Sequence, residues 1–280
     1  MNATVSMRDA LYEAPGPKTR RRVRIGTAIS LVALVALAAF VVRQFYINDQ
    51  LNPKYWSFLT RWTTWRFLLR GLMGTIKVAL MAGVIAMALG LLLMLGRISH
   101  NRLLSGICHV VTDLFRSLPS LLLIYFFFLV IPKYGLRMPS FWMITIPVAL
   151  AASGVLAEVF RAGVNAVPKG QTEAAMSLGM THGKITRKIV LPQALKIVIP
   201  SLVSQLVVVV KDTTVAYVVS YPDLMQNARV LISNYDALVS MYFVVALIYI
   251  AINYATNQFS IYLAHRSGEP IITRTTENPV

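Results

Sequence analysis

The sequence predicts an all-α, polytopic membrane protein with about six spanning helices. Its 280 residues are 56% hydrophobic and 14% charged, which is too apolar for a water-soluble domain of this length. A spanning helix needs about 20 mostly apolar residues to cross a hydrocarbon core about 30 Å thick, and several windows of the chain meet this requirement. Short basic segments separate the windows, as is typical of loops at a membrane surface.

The net charge of +16 raises nucleic-acid binding as an alternative. Such binding needs one solvated basic patch, whereas the basic residues here are divided among clusters between apolar windows. We therefore attribute them to membrane topology and predict no nucleic-acid partner. The single cysteine, Cys108, excludes an intrachain disulfide and a cysteine-based metal cluster, and we interpret it as a helix-packing residue.

Residues 1–24 are predicted to form a basic, disordered cytoplasmic tail, because they are polar and contain a Pro15-Gly16-Pro17 breaker. The apolar window 25–42 follows directly. A basic segment before an apolar one is also typical of a secretory signal peptide, but this window is too long and no small-x-small cleavage site precedes Gln44. We predict that it is the first spanning helix.

Residues 43–70 interleave tryptophans with arginines and lysines. This pattern is typical of a segment that lies along the outer membrane surface, and an ordinary external loop is the alternative. The second span is predicted at Leu72–Leu95. Its glycines, which include Gly74 and Gly90, allow close approach of neighbouring helices.

Four further apolar windows are separated by short polar loops. They are predicted at about Ile107–Ile131, at Phe141–Ala162, from Gln193 past Pro200 to Lys211 or Val219, and at Val239–Leu263. Residues 264–280 are predicted to form a polar cytoplasmic tail. An even number of spans places both termini on the same side of the membrane. If the N terminus is cytoplasmic, fourteen arginines and lysines lie on the cytoplasmic side and eight on the external side. This excess favours cytoplasmic termini.

A polar, basic loop, Pro168–Pro192, then lies in the cytoplasm. Within it, Gln171–Leu178 can form about two helical turns, and Gly179 can adopt the left-handed conformation that ends a helix. We expect Glu173 in the first turn, where the helix dipole favours an anion, and Ala174 and Ala175 on a flat surface suited to docking. From these residues alone, a plain cytoplasmic loop is the alternative.

The loop has a specific spacing: Glu173-Ala174-Ala175, three residues, Gly179, nine residues, then Ile189-x-Leu191-Pro192. This spacing resembles the EAA loop of ABC importer permeases. Further strings resemble the permeases for polar amino acids, the histidine, glutamine, glutamate and arginine group. They are Phe115-Arg116-Ser117-Leu118-Pro119, Ala157-Glu158-Val159-Phe160-Arg161-Ala162-Gly163, Pro168-Lys169-Gly170-Gln171, Pro192-Gln193-Ala194 and Lys211-Asp212-Thr213-Thr214. The resemblance covers residues 71–263, the expected permease core, and Asp223-Leu224 departs from it where the family has Glu-Leu.

The resemblance implies the type I ABC importer transmembrane fold. It also implies two permeases side by side, the second being the same or a homologous chain, with ABC ATPase subunits in the cytoplasm and a solute-binding protein on the external side. The loop then contains a cytoplasmic coupling helix. The residues implied in ATPase coupling are Glu173, Ala174, Ala175, Gly179, Leu191 and Pro192.

ATP and Mg²⁺ are expected in the partner ATPase and not in this chain, for which we expect no cofactor, no metal and no catalytic residues. Consistent with this, the sequence has no G-x-x-x-x-G-K-[ST] phosphate loop. The four histidines have no H-E-x-x-H spacing and there is no G-x-S-x-G motif, which disfavours an intramembrane enzyme.

Charged residues within the spans indicate a substrate path, because an ionisable group in hydrocarbon is costly and usually faces protein or water. The path candidates are Arg116, Glu158, Arg161, Lys211, Asp212 and Thr213. Glu158 and Arg161 are three residues apart and can pair on one helix face, whereas Lys211 and Asp212 are adjacent and cannot share one. Snorkelling of Arg116 to the headgroups and a purely structural Glu158–Arg161 pair are the alternatives.

The predicted function is translocation of a polar amino acid across the cell (inner) membrane by an ATP-driven importer, with glutamate as the favoured substrate. Glutamine, aspartate, arginine and histidine are alternatives for the same role. A stand-alone ion-coupled carrier and a membrane-bound structural adaptor are alternatives of a different class. The carrier does not explain the EAA spacing.

Overall fold

The computed structural model describes residues 16–266, with side chains as far as Leu263. The chain divides into two compact units, 1–57 and 58–280, which are described separately. All regular structure in the described part is helical, as predicted. The tail positions 1–15 and 267–280 lie outside the described residues.

In the first unit, helix α1 extends over Pro17–Ile47 and is apolar and long enough to cross a membrane. The prediction of a disordered tail up to residue 24 is wrong from Pro17 onward, because the basic residues from Lys18 to Arg24 form the first turns of α1. A proline can occupy the first helical position since its missing N–H has no partner there in any helix. At the other end, the Asn48 side chain donates to the Gln44 carbonyl at 2.7 Å.

The second unit contains nine α-helices within the described residues. They are α2 (Trp62–Arg97), α3 (Arg102–Ser117), α4 (Ser120–Tyr125), α5 (Ser140–Ala166), α6 (Lys169–Ser177), α7 (His182–Ile185), α8 (Leu191–Asp212), α9 (Leu224–Tyr235) and α10 (Leu238–Arg266). A π turn at Thr186–Val190 joins α7 to α8, and a 3-10 helix, Thr213–Val219, extends α8. The described chain thus has five helices of spanning length, or six with one bent pair.

Helix α5 lies at the centre of this unit and packs against α2, α3, α4 and α8. Small residues allow this packing, as predicted for Gly90. A Cβ at Gly90 on α2 would lie 2.9 Å from the Leu156 Cβ on α5, and a Cβ at Gly154 on α5 would lie 2.7 Å from the Arg116 backbone nitrogen. The glycines therefore place α2 and α3 directly against the α5 backbone.

The third predicted span is not one continuous helix. α3 and the helical segment Ser120–Tyr134 meet at 96°, with Leu118 extended and Pro119 at the junction. The residue before a proline is biased away from helical geometry, which explains the break. α3 alone has 16 residues, about 24 Å, and is too short to cross the hydrocarbon core.

Two polar segments contain more helix than predicted. α2 begins at Trp62, within the segment 43–70 that was predicted to lie along the surface. α9 occupies 12 residues of the polar stretch between the last two spans. Its N-cap is Asp223, whose carboxylate accepts from the Gln226 N–H at 2.7 Å, which is the local signal for a helix start.

Candidate functional site

Helix α6 is the short helix predicted within loop 168–192. It covers Lys169–Ser177 and ends at Gly179, whose φ of 74° is left-handed, as predicted. The Gly179 N–H donates to the Met176 carbonyl at 2.9 Å, and the Met180 N–H donates to the Ala175 carbonyl at 3.1 Å. This pair of bonds is the Schellman motif, so the end of α6 is fixed by the glycine.

The two alanines of α6 lie on different faces. Ala174 is exposed, whereas Ala175 is 2% exposed and packs with Val167, Ile185 and Val190. The prediction of a shared flat surface is wrong for Ala175, because consecutive helical residues are rotated by about 100°. The exposed face of α6 instead continues to Leu178, which is 82% exposed.

Glu173 is exposed but not in the first turn. α6 starts at Lys169, two residues earlier than predicted, and has no acidic residue in its first turn. Glu173 therefore falls in the second turn, beyond the main effect of the helix dipole. Its carbonyl accepts from the Ser177 hydroxyl at 3.0 Å.

Leu191 and Pro192 begin α8 and do not lie on α6. Leu191 borders a cavity together with His100 and His182. The rings of these two histidines touch edge to face, with centroids 4.9 Å apart. His100 follows α2 and His182 begins α7, so the end of α2 lies beside loop 168–192.

Glu158 on α5 is the centre of an ionic cluster. Its Oε1 accepts from Arg97 Nη1 at 2.6 Å and its Oε2 accepts from Arg161 Nε at 2.8 Å, which confirms that Glu158 and Arg161 can pair. Arg116 Nη1 lies 3.4 Å from Oε1. Three guanidinium groups from three helices therefore surround one carboxylate.

The contacts close into a ring that crosses from α2 to α3 and α5. Arg97 Nη2 donates to His109 Nδ1 at 2.7 Å, and His109 Nε2 lies 3.4 Å from Asp113 Oδ2. Asp113 Oδ1 in turn lies 3.4 Å from Arg116 Nη2, and Arg116 contacts Glu158. With His109 neutral, three arginines face two carboxylates, which leaves one excess positive charge.

Arg97, His109 and Asp113 were not among the predicted path residues. Arg97 lies beyond the predicted end of the second span at Leu95, but it is the last residue of α2 and its side chain is only 9% exposed. His109 lies near the middle of α3. The available signal was the spacing of His109, Asp113 and Arg116, which places them on one face of a helix.

A cavity of about 140 Å³ adjoins the cluster. Arg116 and Asp212 both border it, as do the polar residues Ser120 and Gln205, and the rest of its wall is largely apolar. The bend at Pro119 brings Ser120 to this position, because α4 starts directly after it.

Lys211 and Thr213 do not border this cavity. Lys211 is exposed, because the helical rotation between neighbours points it away from Asp212. Thr213 is fully buried and its hydroxyl donates to the Val210 carbonyl at 2.7 Å. The cavity thus contains two of the six predicted path residues, Arg116 and Asp212, while Glu158 and Arg161 belong to the neighbouring cluster.

A second, more open cavity of about 470 Å³ lies beside the cluster, towards the end of α2. Arg97, Arg102, His109 and Arg161 border it, together with Ser99 and Ser105. Arg102, Ser105, His109, Asp113 and Arg116 follow one another at intervals of three or four residues along α3. One polar face of α3 therefore connects the larger, basic cavity to the smaller one that Asp212 borders.

Spanning helices that are broken at a proline and enclose charged side chains are the architecture of a membrane transport protein. The chain belongs to the family described as binding-protein-dependent transport system inner membrane component, whose profile matches residues 86–268. It is thus a multi-pass permease.

Two relatives match over much of the chain. The glutamate transport system permease protein GluD of Corynebacterium glutamicum is 33% identical over 241 residues, which are 83% of this chain and 88% of that protein. The arginine transport system permease protein ArtQ of Bacillus subtilis is 33% identical over 163 residues, 58% of this chain and 74% of that protein.

The fold is also found among solved structures. One described as an amino acid ABC transporter with histidines superposes with a TM-score of 0.71 at 27% identity, and the match covers 75% of this chain and 98% of that one. The fold of this chain is therefore the type I ABC importer transmembrane fold, as the EAA-like spacing predicted.

Proposed function

We propose that this chain is the translocation subunit of an ATP-driven importer that carries a polar amino acid, glutamate, across the cell membrane. The observation that carries the proposal is the cavity of about 140 Å³ that Arg116 and Asp212 both border. A zwitterionic amino acid needs a cation for its carboxylate and an anion for its ammonium group. Arg116 supplies the first and Asp212 the second, on opposite helices of one cavity.

Charge in the adjoining cluster favours an acidic substrate. Glu158 is already bonded to Arg97 and Arg161, so we assign it the role of positioning Arg116 rather than contacting the substrate. The excess positive charge of the cluster attracts a second carboxylate. The 33% identity with the Corynebacterium glutamicum glutamate permease supports the same choice, whereas the equal identity with the arginine permease keeps arginine as an alternative.

We further propose that α6 is the coupling helix. Its exposed face, with Glu173, Ala174 and Leu178, would dock in a groove of a cytoplasmic ATPase that binds ATP and Mg²⁺. The fixed end at Gly179 would transmit the movement to α7 and α8. In this arrangement both termini are cytoplasmic, a second permease completes the path, and a solute-binding protein delivers the amino acid from the opposite side.

The test is uptake of radiolabelled glutamate, glutamine and arginine by cells that lack the chain and are complemented with variants. Native chain should restore glutamate uptake, whereas Asp212→Asn and Arg116→Gln should each lower it at least tenfold. Lys211→Gln is the matched control, because it neutralises an exposed neighbour of Asp212 and should retain uptake. Native-like uptake by both cavity variants would refute the assignment of this cavity.

A stand-alone ion-coupled carrier is separated from this proposal by the energy source. Uptake should cease when the ATPase subunit is deleted, and that subunit should accompany the purified chain. Uptake that persists without the ATPase and follows the ion gradient would instead establish the carrier.

A further inference from the structure

One face of α2 carries three exposed basic side chains, Arg66, Arg70 and Lys77. Together with Trp62, Leu69 and Met73 they border an open groove of about 450 Å³. Trp62 is 72% exposed and Met73 is 54% exposed. We call this surface the basic face of α2.

The three cations form a single row. Arg66 and Arg70 are four residues apart and Lys77 follows after seven, so all lie within about 40° of one line along the helix. Their Cα atoms descend along the axis by about 6 Å and then by about 10 Å. The opposite face of α2 is buried against the bundle. Leu68 and Thr75 are at most 1% exposed, and Gly71 is buried as well.

The row is not neutralised within the described residues 16–263. Every ion pair of that part involves Arg97, His109, Arg116 or Arg161, and none involves the basic face. Further along the same side of α2 the surface is apolar, since Leu80 and Val84 are each 58% exposed. The face therefore changes from a tryptophan and cations to aliphatic residues, as expected where a helix passes from the headgroup region into the hydrocarbon core.

We propose that the basic face of α2 binds the phosphate headgroup of an anionic phospholipid. Arg66, Arg70 and a snorkelling Lys77 would hold the phosphate, and an acyl chain would follow Met73 and Leu80. Unpaired cations at this depth are costly in a membrane unless an anion accompanies them. An anionic lipid satisfies both the charge and the apolar surface beneath it.

The position of α2 specifies the leaflet. α2 ends at Arg97, and the residues just beyond it, Ile98 and His100, border a cavity shared with Lys169 and Glu173 of α6. The basic face lies at the other end of this 36-residue helix. The lipid site is therefore in the leaflet opposite the coupling helix, and it does not depend on which substrate is carried.

Trp62 provides a direct probe of the site. A variant that retains this tryptophan alone, with Trp56, Trp65 and Trp142 replaced by phenylalanine, is reconstituted in vesicles that contain 10% brominated phosphatidylglycerol or 10% brominated phosphatidylcholine. The anionic lipid should quench Trp62 fluorescence at least twofold more strongly. Arg70→Gln with Lys77→Gln should abolish this preference. Lys133→Gln with Arg137→Gln, two exposed cations outside the basic face, is the matched control and should retain it.

Equal quenching by the two lipids would refute a specific headgroup site. If neither brominated lipid quenches Trp62 fluorescence, the basic face is covered by α1 or by a second copy of the chain. That result would also refute the proposal. If the single-tryptophan variant does not fold, native mass spectrometry of the otherwise native chain replaces it. Retained phosphatidylglycerol should then decrease by about one molecule per chain in the Arg70→Gln, Lys77→Gln variant and not in the control.

Discussion

Arg97, the last residue of α2, donates a hydrogen bond of 2.6 Å to Oε1 of Glu158, which lies 61 residues further along on α5. The Arg97 side chain is 9% exposed, while that of Arg161, the other close partner of Glu158, is 43% exposed. Arg97 also donates to His109 on α3. One arginine thus joins three helices at the end of the bundle that carries the proposed coupling segment.

This difference in exposure predicts unequal effects of removing each arginine. Arg97→Gln should lower the free energy of unfolding by about 1–3 kcal/mol, because it disrupts a mostly buried, charge-assisted network. Arg161→Gln should cost less than about 1 kcal/mol, because solvent screens an exposed pair. Thermal unfolding of the purified importer measures both. Equal destabilisation by the two variants would contradict the central position of Arg97.

Gly179 should be essential for coupling. Gly179→Val places a β-branched residue at a φ of 74°, a conformation that costs about 1–2 kcal/mol or more for such a residue. The Schellman end of α6 should therefore be distorted, and both uptake and transport-coupled ATP hydrolysis should collapse while membrane insertion is normal. ATPase assays in vesicles measure the effect.

Gly183→Val is the control for that substitution. Gly183 lies in α7 with no positive φ, and a Cβ there would meet nothing within 4 Å. This variant should retain at least half of the coupled activity. Normal coupling in Gly179→Val would remove the coupling role from the end of α6.

The two alanines of α6 should respond differently to the same change. Ala175→Gln inserts a polar side chain among Val167, Ile185 and Val190 and should destabilise loop 168–192 by about 1–3 kcal/mol. Ala174→Gln is on the exposed face and should change stability by less than about 0.5 kcal/mol, while weakening co-purification of the ATPase. Hydrogen exchange of the loop and pull-down of the ATPase distinguish the two outcomes. The reverse pattern would show that Ala175, not Ala174, faces the partner.

Asp223 should make stability depend on pH. It is fully buried, its Oδ2 has no hydrogen-bond partner among the described residues, and burial raises the pKa of its carboxyl from 3.8 to about 6. Because the folded pKa is the higher one, the contribution of Asp223 is complete below pH 3.8 and is lost as pH rises through about 6. The loss corresponds to roughly 3 kcal/mol at most.

Asp223→Asn isolates this effect, since asparagine caps a helix as well as aspartate does. The variant should match the native chain in free energy of unfolding near pH 4 and exceed it at pH 8. Chemical denaturation at several pH values gives the comparison. A constant difference between the two chains across this range would show that Asp223 does not titrate on unfolding.

The sequence by itself determined the spanning helices, the position of α6 and the role of Gly179 at its end. It also determined the Glu158–Arg161 pair. Each of these depends on residues close together in the chain, where helical periodicity and backbone preferences fix the geometry. The break at Leu118–Pro119 was not predicted, although its signal is local, because a proline biases the residue before it away from helical geometry.

Only the tertiary structure decided which distant groups meet. The ring from Arg97 through His109, Asp113 and Arg116 to Glu158 forms only if α2, α3 and α5 are each rotated so that these side chains face one another. The cavity that Arg116 and Asp212 border likewise depends on how α3 and α8 are oriented. The burial of Ala175 and the exposure of Lys211 are also set by the neighbour that each helix face meets. Periodicity states which residues share a face, but packing between helices decides where that face points, and a single sequence does not encode that choice locally.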